Sequence, residues 1–244
     1  MTRRSIPIRA PRRLTLPLLL VASLGLGGCA GQAVQQSSTS PARAYTDLGL
    51  AYLERNNLPR AMAALDHALE ADPRDGEALQ AMAIVYQRQG ETRLADEFFQ
   101  RALGHDPGFT RARNNYAAFL YDQGHTREAC AQLEQASSDT QYNNRAQLFA
   151  NLGQCQREIG EVAAARQSLE RAQAIDARAP RSYYLLAELE YAQGNYARAW
   201  EQLQVFMRLA GATPDSQRLA SQISAAQGGN TSSSTLPLRP HGTL

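Results

Sequence analysis

The 244-residue chain has three cysteines, one tryptophan and 7% aromatic residues, and it contains no lysine at all. Its basic charge is carried by arginine alone, spread along the chain rather than run together. That pattern leaves no electrostatic footprint for nucleic acid. The formal charge of +2 is also misleading. Residues 1–28 carry five arginines and no acid, and without them 20 basic residues face 23 acidic ones, a balance of −3. Scarce aromatics and abundant alanine suit small helical units stacked on each other rather than one large core. There is no glycine-rich phosphate loop, no H-E-x-x-H and no G-x-S-x-G, so no enzymatic chemistry is expected. His67, His105 and His125 stand singly, none at helical ligand spacing with a cysteine, and no metal site is expected. Charged pairs such as Asp66 and Glu70 read as solvated helix faces.

What the chain does have is a repeat. Ala61, Ala95 and Ala129 are spaced by 34 residues, and after a two-residue offset the series resumes at Ala165 and Ala199. Ala68, Ala102, Ala136 and Ala172 keep the same step and offset. Two antiparallel helices with short turns need about 34 residues. Small residues Gly49, Ala83, Ala117, Gly153 and Ala187 let the paired helices approach, and large apolar residues fill the space around them. Leu48, Met82, Tyr116, Leu152 and Leu186 form one such series, and Leu65, Phe99, Leu133, Leu169 and Leu203 another. Gly90, Gly124, Gly160 and Gly194 supply the left-handed turn residue, with Asn56 in the first unit. Asp72-Pro73 and Asp106-Pro107 close second helices.

Position by position this resembles the tetratricopeptide repeat. The resemblance implies an all-α, right-handed superhelical solenoid of five helix pairs, with units 42–75, 76–109, 110–143, 146–179 and 180–213. Tyr52 and Tyr86 give way to Leu120, Gln156 and Glu190 later in the chain, and the last alanine becomes Phe206. A capping helix is expected over 214–227, with Leu219 and Ile223 on its buried face, because an open solenoid needs its last apolar surface covered. Residues 228–244 are rich in Gly, Ser, Thr and Pro and are expected to be disordered.

The first 28 residues read as a secretory signal peptide. Five arginines precede an apolar run, Leu14 to Leu26, too short to span a bilayer comfortably. The run ends in Leu26-Gly27-Gly28-Cys29, which resembles the lipobox of bacterial lipoproteins. That resemblance implies cleavage before Cys29, a diacylglycerol on its sulfur and an acylated new amino terminus. Several acyl chains anchor firmly where one is marginal. Ala30 replaces the aspartate that usually marks inner-membrane retention, which implies the periplasmic face of the outer membrane. Residues 29–41 then form a lipidated cysteine and a flexible tether with a reach of about 20 Å.

Two cysteines remain. Cys130 falls on the second helix of repeat three and Cys155 on the first helix of repeat four, which should be packed neighbours. An oxidising periplasm permits a disulfide. Two buried thiols acting as small hydrophobes are the alternative, and both readings stay open at this point.

First helices line the groove of such a solenoid. The expected partner-binding positions are Leu50, Leu53 and Glu54; Gln80, Ile84, Gln87 and Arg88; and Asn114, Ala118, Tyr121 and Asp122, with Gln154, Arg157, Tyr184 and Tyr191 further on. Amide and aromatic side chains in this mixture suit an extended peptide. No small-molecule substrate is expected, and no cofactor apart from the covalent lipid.

A closer resemblance rests on the run Asn114-Asn115-Tyr116-Ala117-Ala118-Phe119-Leu120-Tyr121, on Ala136 to Tyr142, and on Phe149-Ala150-Asn151-Leu152-Gly153. Leu48-Gly49-Leu50-Ala51-Tyr52-Leu53 and Leu94-Ala95-Asp96-Glu97 add to it. These are similar to the type IV pilus biogenesis lipoproteins called PilF or PilW. The resemblance covers residues 29 to about 210 and implies a pilotin. Such a lipoprotein carries subunits of the pilus secretin, PilQ, to the outer membrane and promotes their assembly, on which twitching motility depends. A different envelope-assembly scaffold, for outer-membrane barrels or peptidoglycan enzymes, is the alternative. Relatives usually carry a sixth repeat, which this chain replaces by a single cap-like helix.

Overall fold

The computed structural model describes residues 40–233. The expected signal peptide, Cys29, the tether up to residue 39 and the tail after residue 233 lie outside the described residues. The described residues form eleven helices in chain order: α1 (Pro41–Glu54), α2 (Leu58–Ala71), α3 (Gly76–Gln89), α4 (Thr92–His105), α5 (Thr110–Asp122), α6 (Thr126–Ser137), α7 (Arg145–Glu158), α8 (Val162–Ile175), α9 (Pro180–Ala192), α10 (Tyr196–Ala210) and α11 (Pro214–Ser233).

Local chemistry sets the ends. Asp75 caps α3 by accepting the backbone N–H groups of Glu77 and Ala78 at 2.9 and 3.1 Å. Asn56 is the one residue other than glycine with positive φ among those described, at 54°, and Gly90 takes the same left-handed role at 80°. Asp72 and Asp106 adopt extended backbone as the chain leaves α2 and α4. The prolines that follow them disfavour helical conformation at those positions.

Helices pair in sequence: α1 with α2, α3 with α4, and so on to α9 with α10. First helices also pack on one another in the order α1, α3, α5, α7, α9. Second helices make no comparably close backbone approach to one another among the described residues, and the Gln173–Gln202 hydrogen bond at 2.9 Å joins α8 to α10 through side chains alone. The stack therefore curves with its first helices on the inner, concave side.

The second helices bury the alanine series and its large partners. Ala61, Leu65, Ala95, Phe99, Ala165, Leu169, Ala199 and Leu203 are fully excluded from solvent. Burying one Leu or Phe side chain of this line stabilises by about 1.5–3 kcal/mol. The closest approaches are made by glycine. A Cβ at Gly49 would lie 2.6 Å from Leu65 Cγ, and one at Gly153 would lie 2.6 Å from Leu169 Cγ.

Two expectations are corrected. Leu48 is not a core residue; it is 43% exposed. In later repeats this position packs against the preceding unit, and α1 has no described unit before it. The last helix, α11, runs to Ser233 rather than ending at Gln227. Its Leu219 and Ile223 are buried with Ala187, Ala199 and Leu203.

Where the repeat pattern decays, satisfied polar pairs replace aromatic rings. Gln156 Oε1 accepts from the Ser168 hydroxyl at 2.7 Å. Glu190 accepts from Arg166 Nε at 2.6 Å and from Asn195 Nδ2 at 2.7 Å. Cys130 on α6 and Cys155 on α7 are joined as a disulfide, with Cα atoms 5.7 Å apart.

Candidate functional site: the concave face

The inner face is built from first helices, so its side chains recur at the repeat period. One row holds Arg43, Glu77, Arg111, Gln147 and Arg181. Both Arg43 and Arg111 form ion pairs with Glu77. The row is thus a charge ladder through the first three repeats, and it breaks at the neutral Gln147.

Beyond the break lies a cleft of about 320 Å³ between α5, α7 and α9. Asn114, Asn115, Ala118, Tyr121 and Asp122 come from α5, Gln147, Asn151 and Gln154 from α7, and Arg181 from α9. Arg181 donates to Asn151 Oδ1 at 2.7 Å and to Gln154 Oε1 at 2.5 Å. Asn151 Nδ2 donates onward to Asn114 Oδ1 at 3.2 Å. Gln154 Nε2 donates to the Tyr121 hydroxyl at 2.8 Å, which itself donates to Glu158. Burial raises the Tyr121 pKa, and its bond to Glu158 raises it further, so the phenol stays protonated as a donor. Among the described residues no group of three or more His, Cys, Asp and Glu is placed to hold a metal ion. No described helix is long and apolar enough to cross a membrane.

The tetratricopeptide-repeat family matches residues 29–76, 119–180 and 151–215, and a second description of the same repeat matches 78–111. The type IV pilus assembly protein PilF of Pseudomonas aeruginosa is 34% identical over 200 residues, covering 80% of this chain and 79% of PilF. The solved structure of Pseudomonas aeruginosa PilF superposes with a TM-score of 0.72 at 32% identity, over 80% of this chain and 88% of that one. The chain belongs to the PilF family of tetratricopeptide-repeat proteins. A solved PilW, described as a widely conserved type IV pilus biogenesis factor, shares the fold with a TM-score of 0.70 at 24% identity, covering 78% of this chain and 87% of PilW.

In this PilF-family chain the expected groove residues fall into three groups. Asn114, Ala118, Tyr121, Asp122 and Gln154 meet in the cleft just described. Leu50, Ile84 and Gln87 lie half-buried on the inner layer of the first two repeats, beside exposed Glu54 and Arg88. Arg88 donates to the Leu53 carbonyl at 2.9 Å and is engaged within the chain. The third group is covered. Leu53 is only 5% exposed and belongs to the core with Ala61 and Leu65, and Gln80 is only 4% exposed. The Gln80 Oε1 finds no hydrogen-bond partner among the described residues. Further along, Arg157 is tied to Glu188 at 2.5 Å, while Tyr184 and Tyr191 pack on Phe206 and Tyr196.

Sequence reasoning missed Asn115, Gln147, Asn151 and Arg181 as cleft residues. The signal that finds Gln147 and Arg181 is the repeat register, with its two-residue offset, that carries Arg43 onto Glu77 and Arg111, and Asn115 and Asn151 lie one helical turn after Arg111 and Gln147.

Proposed function

We propose that this chain is a pilotin: an outer-membrane lipoprotein scaffold of type IV pilus biogenesis that binds pilus secretin subunits, localises them and promotes their multimerisation. The observation that carries the reading is the likeness to PilF across 79% of that protein's length. The lipobox ending in Cys29 supports it from the sequence side and supplies the tether to the periplasmic face of the outer membrane. A solenoid whose first helices form one continuous inner layer suits binding of another protein rather than catalysis. Leu50 and Ile84, partly open on that layer, are the apolar contacts assigned to the secretin.

The test is secretin assembly in a deletion strain complemented with variants. Cys29→Ala should leave a folded protein and a mislocated secretin. Leu50→Asp combined with Ile84→Asp should abolish secretin binding while circular dichroism still reports a helical fold. Normal secretin multimers in the outer membrane of the uncomplemented deletion strain would overturn the reading.

A further inference from the structure

The ladder on the inner face leaves one arginine without its acid. Glu77 sits one repeat after Arg43 and one before Arg111 and pairs with both. Arg181 has Gln147 at the position where Arg111 has Glu77. Its guanidinium is held by two neutral oxygens, those of Asn151 and Gln154, and it forms no ion pair among the described residues. Arg181 is exposed at the mouth of the cleft, so its charge stays open to a ligand. Arg181 also stands in the first turn of α9, where the N-cap Ala179 offers no side-chain acceptor. The dipole at that end adds to the attraction for an anion.

The walls around Arg181 are made for a peptide backbone. A carboxamide carries an acceptor and two donors, which matches the peptide group. Five carboxamides line this cleft: Asn114, Asn115, Gln147, Asn151 and Gln154. Those of Asn115 and Gln147 form no hydrogen bond among the described residues. Gln147, Asn151 and Gln154 lie on one face of α7, spanning a rise of about 10 Å, about three residues of extended chain.

We propose that the cleft between α5, α7 and α9 docks an extended segment of a partner protein that places one acidic side chain on Arg181. The segment passes through rather than ending there. Carboxamides continue on both sides of Arg181, with Gln147 one turn before Asn151 and Gln154 leading on to Tyr121. Asp122 lines the same cleft without an ion pair among the described residues and disfavours a second acid beside the first. The partner motif is therefore a single acid flanked by neutral or basic residues. The site lies in repeats three to five, apart from Leu50 and Ile84, and does not depend on the secretin reading.

The test probes the full-length protein, purified in detergent, with an array of random dodecapeptides, printed once with free and once with amidated C-termini. The bound set should share one acidic position in both versions. Arg181→Gln should reduce binding by about tenfold or more, as loss of a charged hydrogen-bond partner does. Gln147→Glu should do the same without touching Arg181, because it restores the internal acid of the ladder. Arg181→Glu should turn the selected position from acidic to basic. The Leu50→Asp, Ile84→Asp variant should still select peptides with the single acidic position, whatever apolar peptides it loses, so failure of the secretin contact and failure of this cleft read out separately. Absence of any selected peptide, a selection unchanged by Arg181→Glu, or binding confined to free C-termini would overturn the proposal.

Discussion

The carboxylate of Glu190 is 2% exposed and takes both Nε and a terminal nitrogen of Arg166, at 2.6 and 3.1 Å. This fork joins α8 to α9 at the position where the first two repeats carry tyrosine. Burial pushes the Glu190 pKa up, but the bonds from Arg166 and Asn195 and the charges of Arg166 and Arg198 outweigh it, so the net shift is downward from 4.5. A folded-state pKa below the unfolded one gives stability that is complete above the unfolded value and lost as pH falls through the folded value. Glu190→Ala should cost roughly 3 kcal/mol at pH 7, because it strands Arg166. The gap between variant and parent should shrink in urea titrations carried below pH 4.5.

Gly153→Ala should destabilise by about 1–3 kcal/mol. The new Cβ would meet Leu169 Cγ at 2.6 Å and the Ala165 carbonyl oxygen at 3.1 Å, and the backbone atom cannot swing aside. Gly104 in α4 is the control, since a Cβ there meets nothing within 4 Å. Gly104→Ala should raise stability by about 0.5–1 kcal/mol through helix propensity. Thermal melts of the two variants should move in opposite directions.

Cys130 and Cys155 are 25 residues apart in sequence and both buried. Closing a loop of that length restricts the unfolded chain by about 3.5 kcal/mol in the chain-entropy description. Cys130→Ser, Cys155→Ser and the double variant should therefore lose similar stability. Reduction should lower the melting temperature of the parent protein and leave the double variant unchanged.

Ile223 has no solvent exposure and closes the last repeat together with Leu219 and Leu203. Ile223→Ala should release α11 before the rest of the stack, because each unit of a solenoid leans only on its neighbours. Hydrogen exchange should show lost protection in α10 and α11, with α1 to α6 unaffected. A uniform loss along the whole chain would contradict this.

Much of the fold was legible because it is local and repeated. The alanine and leucine series, the left-handed turn at Asn56 and the glycines after it, and the aspartates that end α2 and α4 all act within one unit. Each is set by helix geometry or backbone sterics over a few residues, so spacing alone reveals it. The same holds for Leu219 and Ile223, four apart and hence on one face of a helix.

Which inner-face residues stay open was decided only by tertiary packing. Leu53 reads as a groove residue by its repeat position, yet the core of the first two repeats covers it. Leu48 reads as core by the same rule, yet it is exposed because α1 has no described unit before it to pack on. Arg181 carries no local mark of a site. It reaches Asn151 and Gln154 only because α9 stacks on α7, and it lacks an acid only because Gln147 interrupts the ladder one repeat earlier. The sequence by itself determined the repeating unit, whose contacts lie within one helix pair. The stacking of α5, α7 and α9 decided the cleft, since its walls come from three repeats and exist only once those helices lie side by side.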